Sequence, residues 1–156
     1  MSSVSQQSDW LIQPFNQPAS IKEDQDRLVL SNGLIARSFV TAPNFATVDY
    51  INLVTGSTLL RGIKPEALIT IDGQQVEIAG LIGQPDYAYL DLDWLVDLKS
   101  NPEAFQFVRY SVSQIEALYP WLAKRSAPPV EYPPKGIRLS VDYVAPSAFE
   151  GMEISI

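Results

Sequence analysis

The sequence predicts an all-β protein: an antiparallel β-sandwich with one short helix and long loops. Three observations carry that expectation. Short apolar runs rich in β-branched and aromatic residues recur along the whole chain. Asn32-Gly33 and Asp72-Gly73 each join two such runs, which is the strongest short-range hairpin signal, because both residue types tolerate positive φ. Prolines and glycines, 12 and 8 in number, fall mainly between the runs, as shaped loops between strands require. A single segment, Asp91 to Ser100, reads as a helix, against about eight to ten short strands.

Composition narrows the class. At 156 residues the chain is long enough to bury a real core, and 46% apolar with 19% charged content is that of a folded protein. The net charge is −7, from 18 acidic and 11 basic residues. Nucleic acid and anionic membrane both select for a positive field, so neither is an expected partner. There is no run of about 18 apolar residues to span a bilayer. The first nine residues are polar and lack the basic-then-apolar order of a signal peptide, which places the chain inside the cell unless a signal has been removed.

The absence of both cysteine and histidine removes disulfides, thiolate nucleophiles, Cys/His zinc sites and histidine acid–base chemistry. No cofactor and no metal site is expected. Any catalysis has to run on carboxylates, tyrosine, lysine or an oxygen-ligated metal.

Residues 1–9 read as a disordered polar leader, and 10–156 as a single β-sandwich domain. Trp10 to Phe15 is an edge strand at best, since Pro14 interrupts it. Leu28 to Val40 is the centre of the chain. A two-residue type I′ turn at Asn32-Gly33 would pair Leu30 with Ile35, Val29 with Ala36 and Leu28 with Arg37. Apolar residues on both faces near the turn place this hairpin inside a sheet.

After a turn at Thr41 to Asn44, Ala46 to Leu53 is a half-buried strand and Ser57 to Arg61 begins another. The Asp72-Gly73 hairpin puts Ile69 opposite Val76 and Ala67 opposite Ile78 on one face, with Thr70, Gln75 and Glu77 on the other. Gly80 to Tyr89 is an irregular loop. Asp91 or Asp93 caps the helix and Asn101-Pro102 ends it. Phe105 to Ile115 is a strand with Phe105, Phe107 and Arg109 on one face. Leu118 to Gly136 is a long loop holding five prolines: Pro120, Pro128, Pro129, Pro133 and Pro134. Ile137 to Val144 is a strand with Ile137, Leu139, Val141 and Tyr143 on one face. Met152 to Ile156 starts a further strand, so the domain is expected to continue past residue 156.

Three groups of side chains are candidates for chemistry. Asp86, Asp91 and Asp93 lie beside Tyr87, Tyr89 and Trp94; carboxylate pairs serve glycoside acid–base chemistry, and aromatic rings stack on sugar faces. The same acids also suit a helix N-terminus. A calcium loop is not expected, because the Asp-x-Asp-x-Asp-Gly pattern is missing. The long loop carries Tyr119, Trp121 and Tyr132 among Lys124, Arg125 and Glu131, and could contact a sugar or a neighbouring domain. Arg37, Arg61 and Arg109 fall on expected strands and call for carboxylate partners, with Asp26 or Asp49 the candidates for Arg37. The glycines at 80 and 83 lack the spacing and the lysine of a phosphate loop.

The run Leu30 to Phe39, followed by Ala46 to Gly56, Leu59 to Ala67, Thr70 to Gly73, Gly83 to Tyr89 and Pro133 to Gly136, resembles the N-terminal β-sandwich of bacterial alpha-galactosidase (melibiase)-like glycoside hydrolases. The similarity spans about Asp26 to Tyr143 and rests on the order and spacing of the motifs. It implies a supersandwich of the galactose mutarotase-like kind. In such enzymes this domain precedes a barrel that holds the catalytic aspartates, so no catalytic residue is carried over here. Mutarotase chemistry uses histidines, which this chain lacks.

The resulting expectation is a non-catalytic, carbohydrate-related module that packs on a catalytic domain, with Tyr87, Tyr89, Trp94, Tyr119, Trp121 and Tyr132 as candidate sugar contacts. The alternatives are a small carboxylate-dependent glycoside hydrolase, and an assembly protein that pairs with another copy of itself through its terminal strand.

Overall fold

The computed structural model describes residues 17–126 and 131–156. The leader, the segment Trp10 to Phe15 and the Pro128-Pro129 pair lie outside the described residues. The described chain is all-β and β-sandwich-like, built from antiparallel sheets.

The first layer is a five-stranded meander. It comprises β1 (Ser20–Asp24), β2 (Arg27–Ser31), β3 (Ile35–Val40), β4 (Ala46–Asn52) and β5 (Ser57–Thr58), paired in that order. The β2–β3 hairpin is therefore interior, as its two apolar faces require. Next comes the ribbon β6 (Ala67–Ile71) and β7 (Gln74–Ile78), then the short pair β8 (Leu81–Ile82) and β9 (Lys99–Ser100). Finally β10 (Gln106–Gln114), β11 (Ile137–Val144) and β12 (Glu153–Ser155) form a three-stranded sheet. The ribbon joins the start of β10: Ile78 and Phe105 form a parallel bridge, Phe105 N–H donates to Glu77 O at 2.9 Å, and Ala79 N–H donates to Phe105 O at 3.0 Å.

The main core lies between these layers. Leu28, Phe39 and Phe45 from the meander meet Val76 and Ile78 from the ribbon and Phe105, Val141 and Tyr143 from the third sheet. Phe45 is its hub, with ring centroids 5.0 Å from Phe39, 5.5 Å from Phe107 and 6.3 Å from Tyr143. A second cluster of Ala46, Val48, Ile63, Leu81 and Leu98 packs on the other face of β4. The first half of β4 is thus covered on both sides, which is why Ala46, Thr47 and Val48 are all buried.

The β6–β7 hairpin has the expected register, Ala67 opposite Ile78 and Ile69 opposite Val76. Asp72 and Gly73 both have positive φ, +49° and +81°, as a type I′ turn demands. The β2–β3 hairpin differs from the expected register by two residues: Leu30 pairs with Arg37 and Leu28 with Phe39. Asn32 is not a central turn residue. Asn32 N–H donates to Ile35 O at 3.3 Å, so Gly33-Leu34 is the connection, and Gly33 at φ +82° supplies the one left-handed position of a II′-like turn. Side chains decide this. Asn32 Oδ1 accepts from the N–H groups of Leu34 and Ile35, each at 3.0 Å, and Ser31 Oγ accepts from Gly33 N–H at 3.0 Å. A shift of two keeps every side chain on its face, so the core pattern survives.

Other expectations need correction. The segment after Asp91 is a 3-10 helix over Leu92–Asp97, capped by Asp91 through Asp93 N–H, with Lys99 and Ser100 already in strand. Its apolar residues do not form one stripe, and Val96 is 86% exposed, so no packing extends it into an α-helix. A second 3-10 turn, Ser147–Phe149, lies between β11 and β12. β10 carries a bulge between Phe107 and Arg109. It places Phe107 toward the core while Arg109 pairs with Asp142 at 2.7 Å on an exposed face, so the two do not share a face. β12 pairs with β11, and Val141 and Ile156 exchange backbone bonds of 2.7 and 2.9 Å.

Candidate functional site: a cleft over the central hairpin

Main-core packing covers only part of the inner face of the meander. Toward the Gly33 turn the same face opens into a cleft of ≈ 530 Å³. That is within the range of small-ligand sites, roughly 300–1,000 Å³. Its floor is the cross-strand row Leu30–Arg37–Tyr50, together with Thr47, Asn32 and Ile35. One wall is the connection after β5, contributing Leu60, Gly62, Lys64, Pro65 and Glu66. Ile137 and Ala19 complete the rim.

A bulge in β4 makes this floor polar. Ser38 pairs with Asp49 but Phe39 pairs with Thr47, leaving Val48 as the unmatched residue. Tyr50 and Thr47, three apart in sequence, therefore share the inner face, whereas a regular strand would put them on opposite faces. Val48 meanwhile fills the second cluster.

Arg37, Thr47 and Glu66 form a closed network. Arg37 donates through Nε and Nη2 to Thr47 Oγ1 at 2.9 and 2.6 Å, and through Nη2 to Glu66 Oε2 at 2.6 Å. Glu66 Oε1 accepts from Thr47 N–H and Thr47 Oγ1, both at 2.7 Å. The Glu66 side chain is 8% exposed and that of Arg37 44%. The guanidinium also lies 4.9 Å from the Phe39 ring centroid. Arg37 thus finds its carboxylate in Glu66, not in Asp26 or Asp49; Asp49 instead accepts from Thr58 Oγ1 at 2.8 Å. Below this network, burial and then the Glu66 charge push the Tyr143 hydroxyl well above the usual tyrosine range.

Two buried amides hold the surroundings in place. Asn44 is 1% exposed; its Oδ1 accepts from Phe45 N–H (2.9 Å) and Phe107 N–H (2.8 Å), and its Nδ2 donates to Phe105 O (3.1 Å). Gln84 accepts from Ile63 N–H at 2.9 Å and donates to the carbonyls of Arg61, Asp86 and Tyr89, tying the cleft wall to the loop behind it. Gly80 sits where a Cβ would meet the Pro65 backbone at 2.8 Å, and its φ of +83° suits glycine alone.

The candidates read from sequence are distributed as follows. Tyr87 buttresses the cleft from outside: a Cβ on Gly62 would lie 2.6 Å from its ring, and Lys64 Nζ sits 4.1 Å from its centroid. Tyr89 and Trp94 pack on each other at 5.1 Å. Tyr132 packs on Tyr119 at 5.7 Å and on Trp121 at 5.6 Å, forming a ring cluster in the long loop. None of these six aromatics lines the cleft. Asp86 and Asp91 spend a carboxylate oxygen on their own loops, accepting from Ala88 N–H (2.8 Å) and Asp93 N–H (3.0 Å). Both, with Asp93, are exposed, unlike a desolvated acid–base pair. No cluster of acidic side chains able to hold a metal ion occurs among the described residues.

The sequence reading missed Thr47, Tyr50, Lys64 and Glu66 as site residues. Thr47 and Tyr50 carried only the weak signal of polar side chains within a strand pattern, and Lys64 and Glu66, in the connection between β5 and β6, lay in no strand pattern at all. Comparison with protein-family models, curated proteins and solved structures found no match to the chain.

Proposed function

We propose that this chain is a non-catalytic, carbohydrate-contacting β-sandwich module, the counterpart of the N-terminal domain of an alpha-galactosidase-like glycoside hydrolase. The cleft over β2–β4 carries the reading. A sugar ring presents C–H faces and a rim of hydroxyls. The cleft offers Leu30, Ile35 and Leu60 beside the Tyr50 ring, with Arg37 and Thr47 fixed at its floor by Glu66 of the wall. Groups already locked by their own hydrogen bonds bind hydroxyls without further ordering cost. The motif order from Leu30 to Gly136 supports the glycosidase context.

The test is an NMR titration of the chain with galactosides and other neutral mono- and oligosaccharides. Saturable shifts are expected at Asn32, Arg37, Thr47 and Tyr50, weakened by Tyr50→Ala. Absence of saturable shifts up to millimolar sugar removes the reading.

A second role, packing on a catalytic domain or another copy, is favoured by the long loop. Leu118 and Leu122 are 77% and 90% exposed beside the Trp121–Tyr132 cluster, an arrangement typical of contact surfaces. Light scattering of the chain alone and mixed with a barrel domain, with Leu122→Asp as the disrupting variant, measures that contact; a monomeric mass for the chain alone together with no added mass in the mixture counts against it.

A further inference from the structure

We infer that the cleft selects an acidic sugar, one carrying a ring carboxylate of the uronic-acid kind, over its neutral counterpart; this rests on the carbohydrate reading above. The inference comes from which polar groups of the lining are already used. Glu66 is the one acidic residue of the lining among the described residues, and both its oxygens are taken by Thr47 and Arg37. The donors are not used up. Arg37 is engaged through Nε and Nη2, and its Nη1 has no partner among the described residues. Lys64 has the Tyr87 ring beneath its ammonium at 4.1 Å, and neither a hydrogen bond nor an ion pair among the described residues. The Tyr50 hydroxyl likewise carries no hydrogen bond there.

The unused side-chain groups among the described residues are therefore donors, Arg37 Nη1, Asn32 Nδ2 and the Tyr50 hydroxyl at the floor with the Lys64 ammonium at the wall, and two of these four are cationic. They sit in a chain of net charge −7. A carboxylate accepts what these groups offer, and charge-assisted bonds are roughly twice as strong as neutral ones. Both cations are held in place, Arg37 by Thr47 and Glu66, Lys64 by the face of Tyr87, so little side-chain freedom is lost on binding. The apolar walls take the ring's C–H face, which a free carboxylate lacks.

The experiment compares galacturonate with galactose, and glucuronate with glucose, by NMR titration of the whole chain, with acetyl-aspartate amide as a carboxylate without a sugar ring. The uronates are expected to bind about tenfold more tightly than the neutral sugars, the ratio falling as salt rises from about 20 to about 500 mM. Lys64→Gln should lower that ratio several-fold, and Lys64→Arg, which keeps the charge, should retain it; Lys64 is exposed, and a thermal melt verifies the fold of both variants. Equal binding of uronate and neutral sugar overturns the inference and leaves the carbohydrate reading standing. So does an unchanged ratio in Lys64→Gln, or binding of acetyl-aspartate amide as tight as that of the uronates. No binding of any sugar overturns both.

Discussion

The cleft over β2–β4 and the described part of the aromatic loop between β10 and β11 make opposite use of similar side-chain chemistry. The loop carries Tyr119, Trp121 and Tyr132 in mutual contact, yet Leu118, Tyr119 and Leu122 beside them face solvent. Among the described residues the cleft has one tyrosine on its floor, but every charged group there except Lys64 is locked by hydrogen bonds to a neighbour that is itself part of the sheet or wall. Aromatic content marks a surface that something can cover. A ligand site also needs concavity and fixed polar groups, and those come from what lies underneath.

The largest blow to that contrast is Asn44→Ala. It strands the N–H groups of Phe45 and Phe107 and the Asn44-facing side of Phe105 O in the core, at a cost of about 3 kcal/mol or more. Urea unfolding measures it, and a loss under about 1 kcal/mol would mean water replaces the amide. Next is Glu66→Ala, which leaves Thr47 N–H without its acceptor and unpairs Arg37. About 2 kcal/mol is expected from the buried bonds, with little added by the half-exposed ion pair. Glu66→Gln, which keeps one acceptor, should cost about half as much, and equal losses for the two variants would argue that charge dominates.

Raising the pH gives a milder perturbation of the same floor. The folded chain holds the Tyr143 hydroxyl neutral beyond its ordinary pKa of 10.0, through burial first and the Glu66 charge second. Its contribution is fully present below about pH 10 and is lost as pH rises from there toward the folded value. Stability should fall on that alkaline limb, and Tyr143→Phe should flatten it; an identical limb in the variant would place the titration elsewhere. The smallest effect belongs to the loop. Trp121→Ala should change stability by no more than about 0.5 kcal/mol, since its contacts are with an exposed cluster. A loss near 2 kcal/mol would show that the loop supports the fold and is not merely carried by it.

Much of the architecture was legible because it is local. Asp72-Gly73 fixes the β6–β7 register, since both residues take the positive φ that a type I′ turn needs. The alternation of Ile137, Leu139, Val141 and Tyr143 places β11, whose Val141 and Tyr143 are buried as expected. Asn32-Gly33 announced its hairpin but not its register. Two readings of the same dipeptide differ by which residues sit centrally, and the Ser31 and Asn32 side-chain bonds choose between them. The site was hardly legible. Thr47 and Tyr50 share a face only because a bulge sets Val48 out of step, and no local signal announces a bulge.

By itself the sequence determined that this chain is all-β, that hairpins form near Asn32-Gly33 and at Asp72-Gly73, and that its chemistry proceeds without cysteine or histidine. Those properties follow from residue type, period two and turn propensity, each readable within a few residues. Tertiary structure alone decided that Glu66, 29 residues from Arg37 along the chain, is its partner. It also decided that Asn44 spans 63 residues to cap the start of β10, and that a cleft stays open where the core stops. Such pairings depend on which layers meet, and that is settled by burying the whole apolar surface at once.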